Sequence, residues 1–305
     1  MAKLAFVFAG QGAQFPGMGK SLYEGSAAAR AVFDMAERVR PHTLQQCFEG
    51  PHDLLNLTVN TQPCMFLVDL AAGLAAREAG IEPDLLAGFS LGEMAALTFA
   101  EAFADPETAF RLVCARAKAM QQAAEQHPGA MAAVLRLPSE TVEAACREFK
   151  AMYPVNYNAP GQLVVSGSRD EMDSFSARIT ELGGRVKRLS VSGSFHSPFM
   201  ATAAQTVKDL LTEIDMKQPR IPVYANVTAK PYAGDLRALL YEQTQSPVRW
   251  QETILHMAED GAYTFIEMGP GKTLSGLIKK TLKDVRVLNV QEIADIAQIK
   301  KDLNC

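Results

Sequence analysis

Apolar positions fall into two textures along the chain. "KLAFVFAG" (3–10) is a continuous apolar run closed by glycine, the pattern of a strand buried on both faces. "QPCMFLVDLAAGLAAREAG" (62–80) has helical length, strong helix formers and a closing Gly80, so it predicts a helix. "PDLLAGFS" predicts a short strand and "LGEMAALTFAEAF" the helix after it. Another helix is predicted over 105–126, with Asp105 as N-cap and Pro106 in the first turn. Strands alternating with helices imply an α/β core around a parallel sheet.

After His127-Pro128-Gly129 the elements shorten. "AMAAVLRL" predicts a strand, "PSETVEAACREFK" a helix, and "VNYNAPGQLVVSGS" a strand pair around Pro160-Gly161. "RDEMDSFSARITELG" predicts a second helix and "GRVKRLSVSG" a last strand. This is β-α-β-β-α-β within roughly 65 residues, a ferredoxin-like order. The expected organisation is a discontinuous large subdomain, 1–126 and 193–305, with a small ferredoxin-like subdomain, 127–192, inserted in it. Beyond 193 the pattern predicts helices, strands at "PVYANV" and "YTFIEMG", and a short tail.

Composition narrows the class. With 305 residues, 48% of them hydrophobic, a large core is available. A net charge of −4 without a lysine–arginine block argues against nucleic acid as a partner. The five cysteines (Cys47, Cys64, Cys114, Cys146, Cys305) are odd in number and form no C-x-x-C pair, which implies a reduced, cytoplasmic protein without a disulfide framework or zinc site. The opening apolar run, only about seven residues, passes straight into "GQGAQ" and reads as a buried strand, not a leader. No run approaches the roughly 18 apolar residues that span a membrane.

Candidate chemistry centres on Gly88-x-Ser90-x-Gly92. Its glycines permit a sharp strand-to-helix turn that exposes the serine at a helix N-terminus. The Leu91 N–H would then face a developing oxyanion. The same pattern also serves as an ordinary turn. A nucleophilic serine needs a base. His42, His52 and His127 flank prolines and read as surface, and His256 fits a helix face. His196, in the loop "SGSFHSPFM", is the best candidate.

Arg116 falls on the apolar stripe Ala109, Leu112, Val113, Met120 of its helix, whereas Arg111 and Lys118 fall opposite. It is a structural ion pair, a snorkelling stem or a buried guanidinium awaiting a carboxylate ligand. "GQGAQFPG" after the first strand lacks the third glycine of a dinucleotide fingerprint, because Phe15 stands there. Its backbone N–H groups remain available to an anion. "MGPGKTL" (268–274) fails the P-loop spacing at Ile266 and reads as a turn.

Taken together, these stretches resemble the malonyl-CoA:acyl-carrier-protein transacylase family, which includes the acyltransferase domains of polyketide and fatty-acid synthases. The resemblance spans nearly the whole chain. It rests on "FVFAGQGAQFPGMG", "TQP" (61–63), "GFSLGE" (88–93), "RAKAMQ" (116–121), "NAPGQLVVSG" (158–167), "GSFHSPFM" (193–200), "QTQSPVRW" (243–250) and "EMGPGKTLSGL" (267–277). It implies an α/β-hydrolase-like core and transfer of malonyl, by a ping-pong route for fatty-acid synthesis, onto the phosphopantetheine of an acyl-carrier protein. By position it implies Ser90 as nucleophile, His196 as base, and the backbone N–H groups of Gln11 and Leu91 as oxyanion hole. It likewise implies Arg116 as anchor of the malonyl carboxylate and the Gln243 backbone carbonyl as the group orienting His196. Phe195 matches the malonyl-selective form of its loop, where methylmalonyl-accepting relatives carry a smaller residue. No permanently bound cofactor or metal is implied, and nothing requires more than a monomer.

Three positions depart from the family pattern: Phe89 stands where histidine is usual, Ser246 begins what is usually "NPV", and Ala9 replaces a proline. Other readings stay open: the same chemistry serving a polyketide synthase, a serine hydrolase, and an inert scaffold. A hydrolase would place an acid and then a histidine late in the chain and would not need Arg116.

Overall fold

The computed structural model describes residues 2–191 and 193–303. Cys305, counted above with the thiols, and Ser192, in the last strand expected of the small subdomain, lie outside them. Strands follow in chain order as β1 (Lys3–Phe8), β2 (Leu85–Gly88), β3 (Gly129–Leu135), β4 (Met152–Ala159), β5 (Gln162–Ser168), β6 (Arg185–Arg188), β7 (Val223–Tyr224), β8 (Ala262–Met268) and β9 (Arg286–Val290). They form two sheets. One is five-stranded and parallel, ordered β7-β2-β1-β8-β9; the other is four-stranded and antiparallel, ordered β4-β5-β3-β6.

β1 shows why its sequence is apolar throughout. Phe6 and Phe8 point into a core with the helices Thr58–Glu78, Leu91–Phe99 and Pro106–Gln126. Ala5 and Val7 point the other way, into a core with Trp250, Ile254 and Ile278. A strand covered by helices on both faces has no polar side to show. The small sheet also buries both faces. Val134, Leu163 and Val165 pack on Phe175 and Ile179, while Met131, Val155 and Val164 pack with Met120, Phe195 and Met200. The second face seats the small sheet against the Pro106–Gln126 helix, beside the candidate residues.

Several elements depart from expectation. The predicted 62–80 helix begins at Thr58, so Pro63 lies inside it and forfeits one backbone bond rather than opening the helix. The segment before it, unassigned above, holds the helices Lys20–Gly25, Ala27–Val39, Thr43–Phe48 and His52–Leu55. The expected short tail holds β9 and a helix, Ile293–Leu303. β9 is an edge strand with a half-buried pattern, so it lacks the apolar run that marks the inner strands. The strand expected at "PVYANV" is only two residues long, because Asn226 leaves the sheet to bond across to β2 and the turn after it.

Candidate active site

The turn between β2 and the Leu91–Phe99 helix is dictated by its glycines. A Cβ on Gly88 would lie 2.0 Å from the Gly92 carbonyl carbon, and one on Gly92 would lie 2.1 Å from the Phe8 carbonyl oxygen. Backbone fills both places, so no side chain fits. Between them Ser90 takes φ 52° and ψ −101°, a backbone state costly for a residue with a Cβ. Asn226 holds that state: its Oδ1 accepts from the Ser90 N–H at 2.7 Å and its Nδ2 donates to the Gly88 carbonyl at 2.6 Å. Ser90 thus stands at the positive end of a nine-residue helix.

His196 faces it. Its Nε2 lies 2.7 Å from Ser90 Oγ, and its Nδ1 lies 2.9 Å from the Gln243 carbonyl and 3.2 Å from that of Ser246. Carbonyls only accept, so Nδ1 carries the proton and Nε2 is left to accept from the serine hydroxyl. Like Ser90, His196 has a positive φ (60°). Burial, and after it the charge of Arg116, lowers its pKa to about 4, against the pull of the two carbonyls. The imidazole is neutral at physiological pH and available as a base.

Arg116 is buried, as its place on the apolar stripe implied. Nη1 donates to Gln62 Oε1 at 2.6 Å, and Nη2 donates to Gln243 Oε1 at 2.9 Å and reaches Ser90 Oγ at 3.4 Å. These partners are neutral, so no carboxylate is bonded to the guanidinium beside the serine, and the nearby Glu93 acts on it only through space. Burial lowers its pKa to about 10, which leaves it protonated. The alternative of a structural ion pair finds no partner here, since no carboxylate among the described residues bonds to it.

Gln11 lies in the turn after β1 and Leu91 at the start of the helix after Ser90. Among the described residues neither backbone N–H has a hydrogen-bond partner, whereas those of Ser90, Gly92 and Glu93 are engaged. Phe195 is buried against Met120 and Met200, next to His196. Phe89 is half-buried, with its ring centroid 5.5 Å from that of Trp250. It lines a cavity of about 470 Å³ together with Gln11, Asn156, Asn158, Val164 and Leu274. This cleft lies between the small sheet and the loop after β1.

Three more side chains belong to the constellation. Gln62 bonds Arg116, Asn226 bonds the Ser90 turn, and Glu93 accepts from the Gln243 amide at 2.8 Å and from the Tyr232 hydroxyl. Gln62 and Glu93 sit inside the motifs "TQP" and "GFSLGE" quoted above, where their burial could have been asked about. Asn226 carries no such signal, since only folding brings it beside Ser90. Of the remaining histidines, His42 and His127 are exposed away from the site, His256 bonds the Ala229 carbonyl, and His52, also exposed, lines the cleft. Among the described residues no group of three or more His, Cys, Asp or Glu could hold a metal ion, and no helix is long and apolar enough to cross a membrane.

Residues 5–304 match the family model described as the acyl transferase domain. The malonyl CoA-acyl carrier protein transacylase of Bacillus subtilis is 39% identical over all of this chain and 99% of that protein. A polyketide biosynthesis malonyl CoA-acyl carrier protein transacylase of the same organism is 36% identical over 93% of the chain and 99% of that protein. Among solved structures, the malonyl CoA-acyl carrier protein transacylase of Clostridium perfringens superposes with a TM-score of 0.95 at 36% identity, covering 99% of this chain and 98% of that one. A malonyl-transacylase in complex with a type II polyketide acyl-carrier protein superposes at 0.94 with 32% identity, covering 99% of this chain and all of that one.

Proposed function

The chain belongs to the acyl transferase family, and on that premise we propose that it moves a malonyl group from malonyl-CoA to the phosphopantetheine thiol of an acyl-carrier protein, for fatty-acid synthesis. One observation carries the reading: Ser90 Oγ lies 2.7 Å from a neutral imidazole and 3.4 Å from a buried guanidinium that bonds no carboxylate among the described residues. The imidazole supplies a base, and the guanidinium selects an acyl group ending in a carboxylate.

The steps follow from these positions. Ser90 Oγ attacks the thioester carbonyl while its proton passes to His196 Nε2. The oxyanion faces the free N–H groups of Gln11 and Leu91. The C–S bond breaks, the CoA sulfur takes the proton back from His196, and malonyl remains as an ester of Ser90. The carrier thiol then gives its proton to His196, attacks the ester carbonyl, and Ser90 is reprotonated as it leaves. Throughout, the malonyl carboxylate forms a paired, charge-assisted contact with Arg116. The Gln243 carbonyl orients the imidazole, and Phe195 narrows the space around the acyl α-carbon. Both substrates enter as long pantetheine arms, which the cleft beside Phe89 has the volume to accept.

The test is intact mass after incubation with malonyl-CoA. The wild type should gain one malonyl and lose it on addition of holo-carrier protein, with the label recovered on the carrier. Hydrolysis to malonate without label on the carrier would support a hydrolase instead. A malonyl adduct that persists in Ser90→Ala would remove Ser90 from its role.

A further inference from the structure

The acyl-transfer steps make no use of Glu93, yet it is fully buried at the centre of the constellation. Its Oε2 accepts from Gln243 Nε2 at 2.8 Å, and its Oε1 accepts from the Tyr232 hydroxyl and the Asn226 N–H. An ionised carboxylate accepts only, so every neighbour must present a donor. That requirement fixes the Gln243 amide. Its nitrogen points at Glu93 and at the Ser90 carbonyl (2.6 Å), and its oxygen points at Arg116 Nη2 (2.9 Å). Turned over, the amide would set N–H against guanidinium and oxygen against carboxylate, two unfavourable contacts in a dry site.

We propose that Glu93 is a positioning residue for acyl selection: through the Gln243 amide, its carboxylate holds Arg116 aimed at Ser90 Oγ. The inference rests on Arg116 being the carboxylate anchor. Glu93 need not act through His196 to the same degree. The imidazole is held by the Gln243 and Ser246 backbone carbonyls, whose places do not depend on the amide's orientation. Loss of the carboxylate should therefore fall on malonyl more than on an acyl group without a distal charge.

The titration of Glu93 sharpens the test. Burial raises its pKa to about 7, and bonds from Tyr232, Gln243 and Asn226, with the charge of Arg116, hold it from rising further. Those groups face it from the 226–232 loop, the Leu236–Gln243 helix and the Pro106–Gln126 helix. Tyr232, itself raised by burial and by Glu93, remains a donor. Protonation of Glu93 removes its negative charge and weakens its hold on the Gln243 amide, so malonyl selection should weaken as pH falls through 7. His196, at about 4, does not change charge in that window.

The experiment compares malonyl-CoA and acetyl-CoA as donors to holo-carrier protein, from pH 5.5 to 8.5, in wild type, Glu93→Gln, Tyr232→Phe and Arg116→Ala. Glu93→Gln should lower kcat/KM at least about tenfold for malonyl, chiefly through KM, and at most about threefold for acetyl. Its malonyl-to-acetyl ratio should also lose its dependence on pH. Tyr232→Phe removes a bond that favours the ionised form, so the pH at which the ratio falls should move upward. It carries the test if Glu93→Gln does not fold. Equal losses on both donors, or a ratio whose pH dependence neither variant moves, would overturn the proposal. Arg116→Ala separates the two readings. If it leaves the ratio unchanged, the anchor reading fails and the role of Glu93 fails with it. If it abolishes the ratio while the Glu93 and Tyr232 variants do not alter it, only the Glu93 inference fails.

Discussion

On one side of Ser90 the protein is polar and closed. On the other it is largely apolar and open. The closed side is a cradle of buried side chains: Arg116, Gln62, Gln243 and Glu93 are joined by hydrogen bonds of 2.6–2.9 Å, and Asn226 is tied to the Ser90 turn at 2.6–2.7 Å. The open side is the cleft, walled by Phe89, Val164 and Leu274 with the Asn156 and Asn158 amides among them. The contrast matches a substrate with two unlike ends. A short acyl group with a fixed charge needs a rigid, preorganised counter-charge. A long, flexible arm needs shape and apolar surface that two different arm carriers can use in turn.

The comparison can be broken at four places, in falling order of effect. Ser90→Ala, at the boundary between the two sides, should abolish the covalent malonyl adduct and lower transfer by about 10⁴-fold or more, measured by radiolabel on the carrier. Arg116→Ala, in the cradle alone, should lower kcat/KM for malonyl-CoA about 100-fold and for acetyl-CoA far less. A similar loss on both donors would mean the guanidinium serves only the fold. Phe195→Ser enlarges the acyl space without touching the charge, so the preference for malonyl over methylmalonyl should shrink about tenfold. Unchanged discrimination would take Phe195 out of selectivity. Phe89→Ala, in the cleft alone, should raise KM for malonyl-CoA a few-fold and leave kcat nearly unchanged. Trp250 is the chain's only tryptophan and packs on Phe89, so its emission should respond to CoA in the wild type and lose most of that response in the variant. A kcat effect as large as the KM effect would place Phe89 in the chemistry.

The open and closed sides also differ in how far the sequence disclosed them. The cleft lies against elements whose patterns are plain: β3 is a continuous apolar run, β5 carries the apolar core "LVV", and β1 reads as doubly buried because both its faces are. Ser90, His196, Arg116 and Gln243 were named from local signals, namely a glycine-framed turn, a loop histidine, a charge on an apolar stripe and a motif match. Asn226 and Glu93 were not, because their importance lies in contacts 133–150 residues apart in sequence. A buried polar network has no period, so hydropathy cannot show it. β9 escaped for a different reason: an edge strand with arginine and asparagine in it looks like a tail. The Ala27–Val39 helix had a readable start, with Ser26 accepting from the Ala29 N–H, and amphipathic spacing behind it.

The proton on His196 Nδ1 is held by two main-chain carbonyls rather than by an acidic side chain. In a three-residue triad the group that sets the imidazole tautomer is a side chain, and one codon change deletes it. Here every amino acid at 243 or 246 still carries a carbonyl. The tautomer is therefore protected from point mutation, and only displacement of the backbone itself can erase it. The codon at 243 is left free to answer to a different constraint, the one its side chain meets at Arg116.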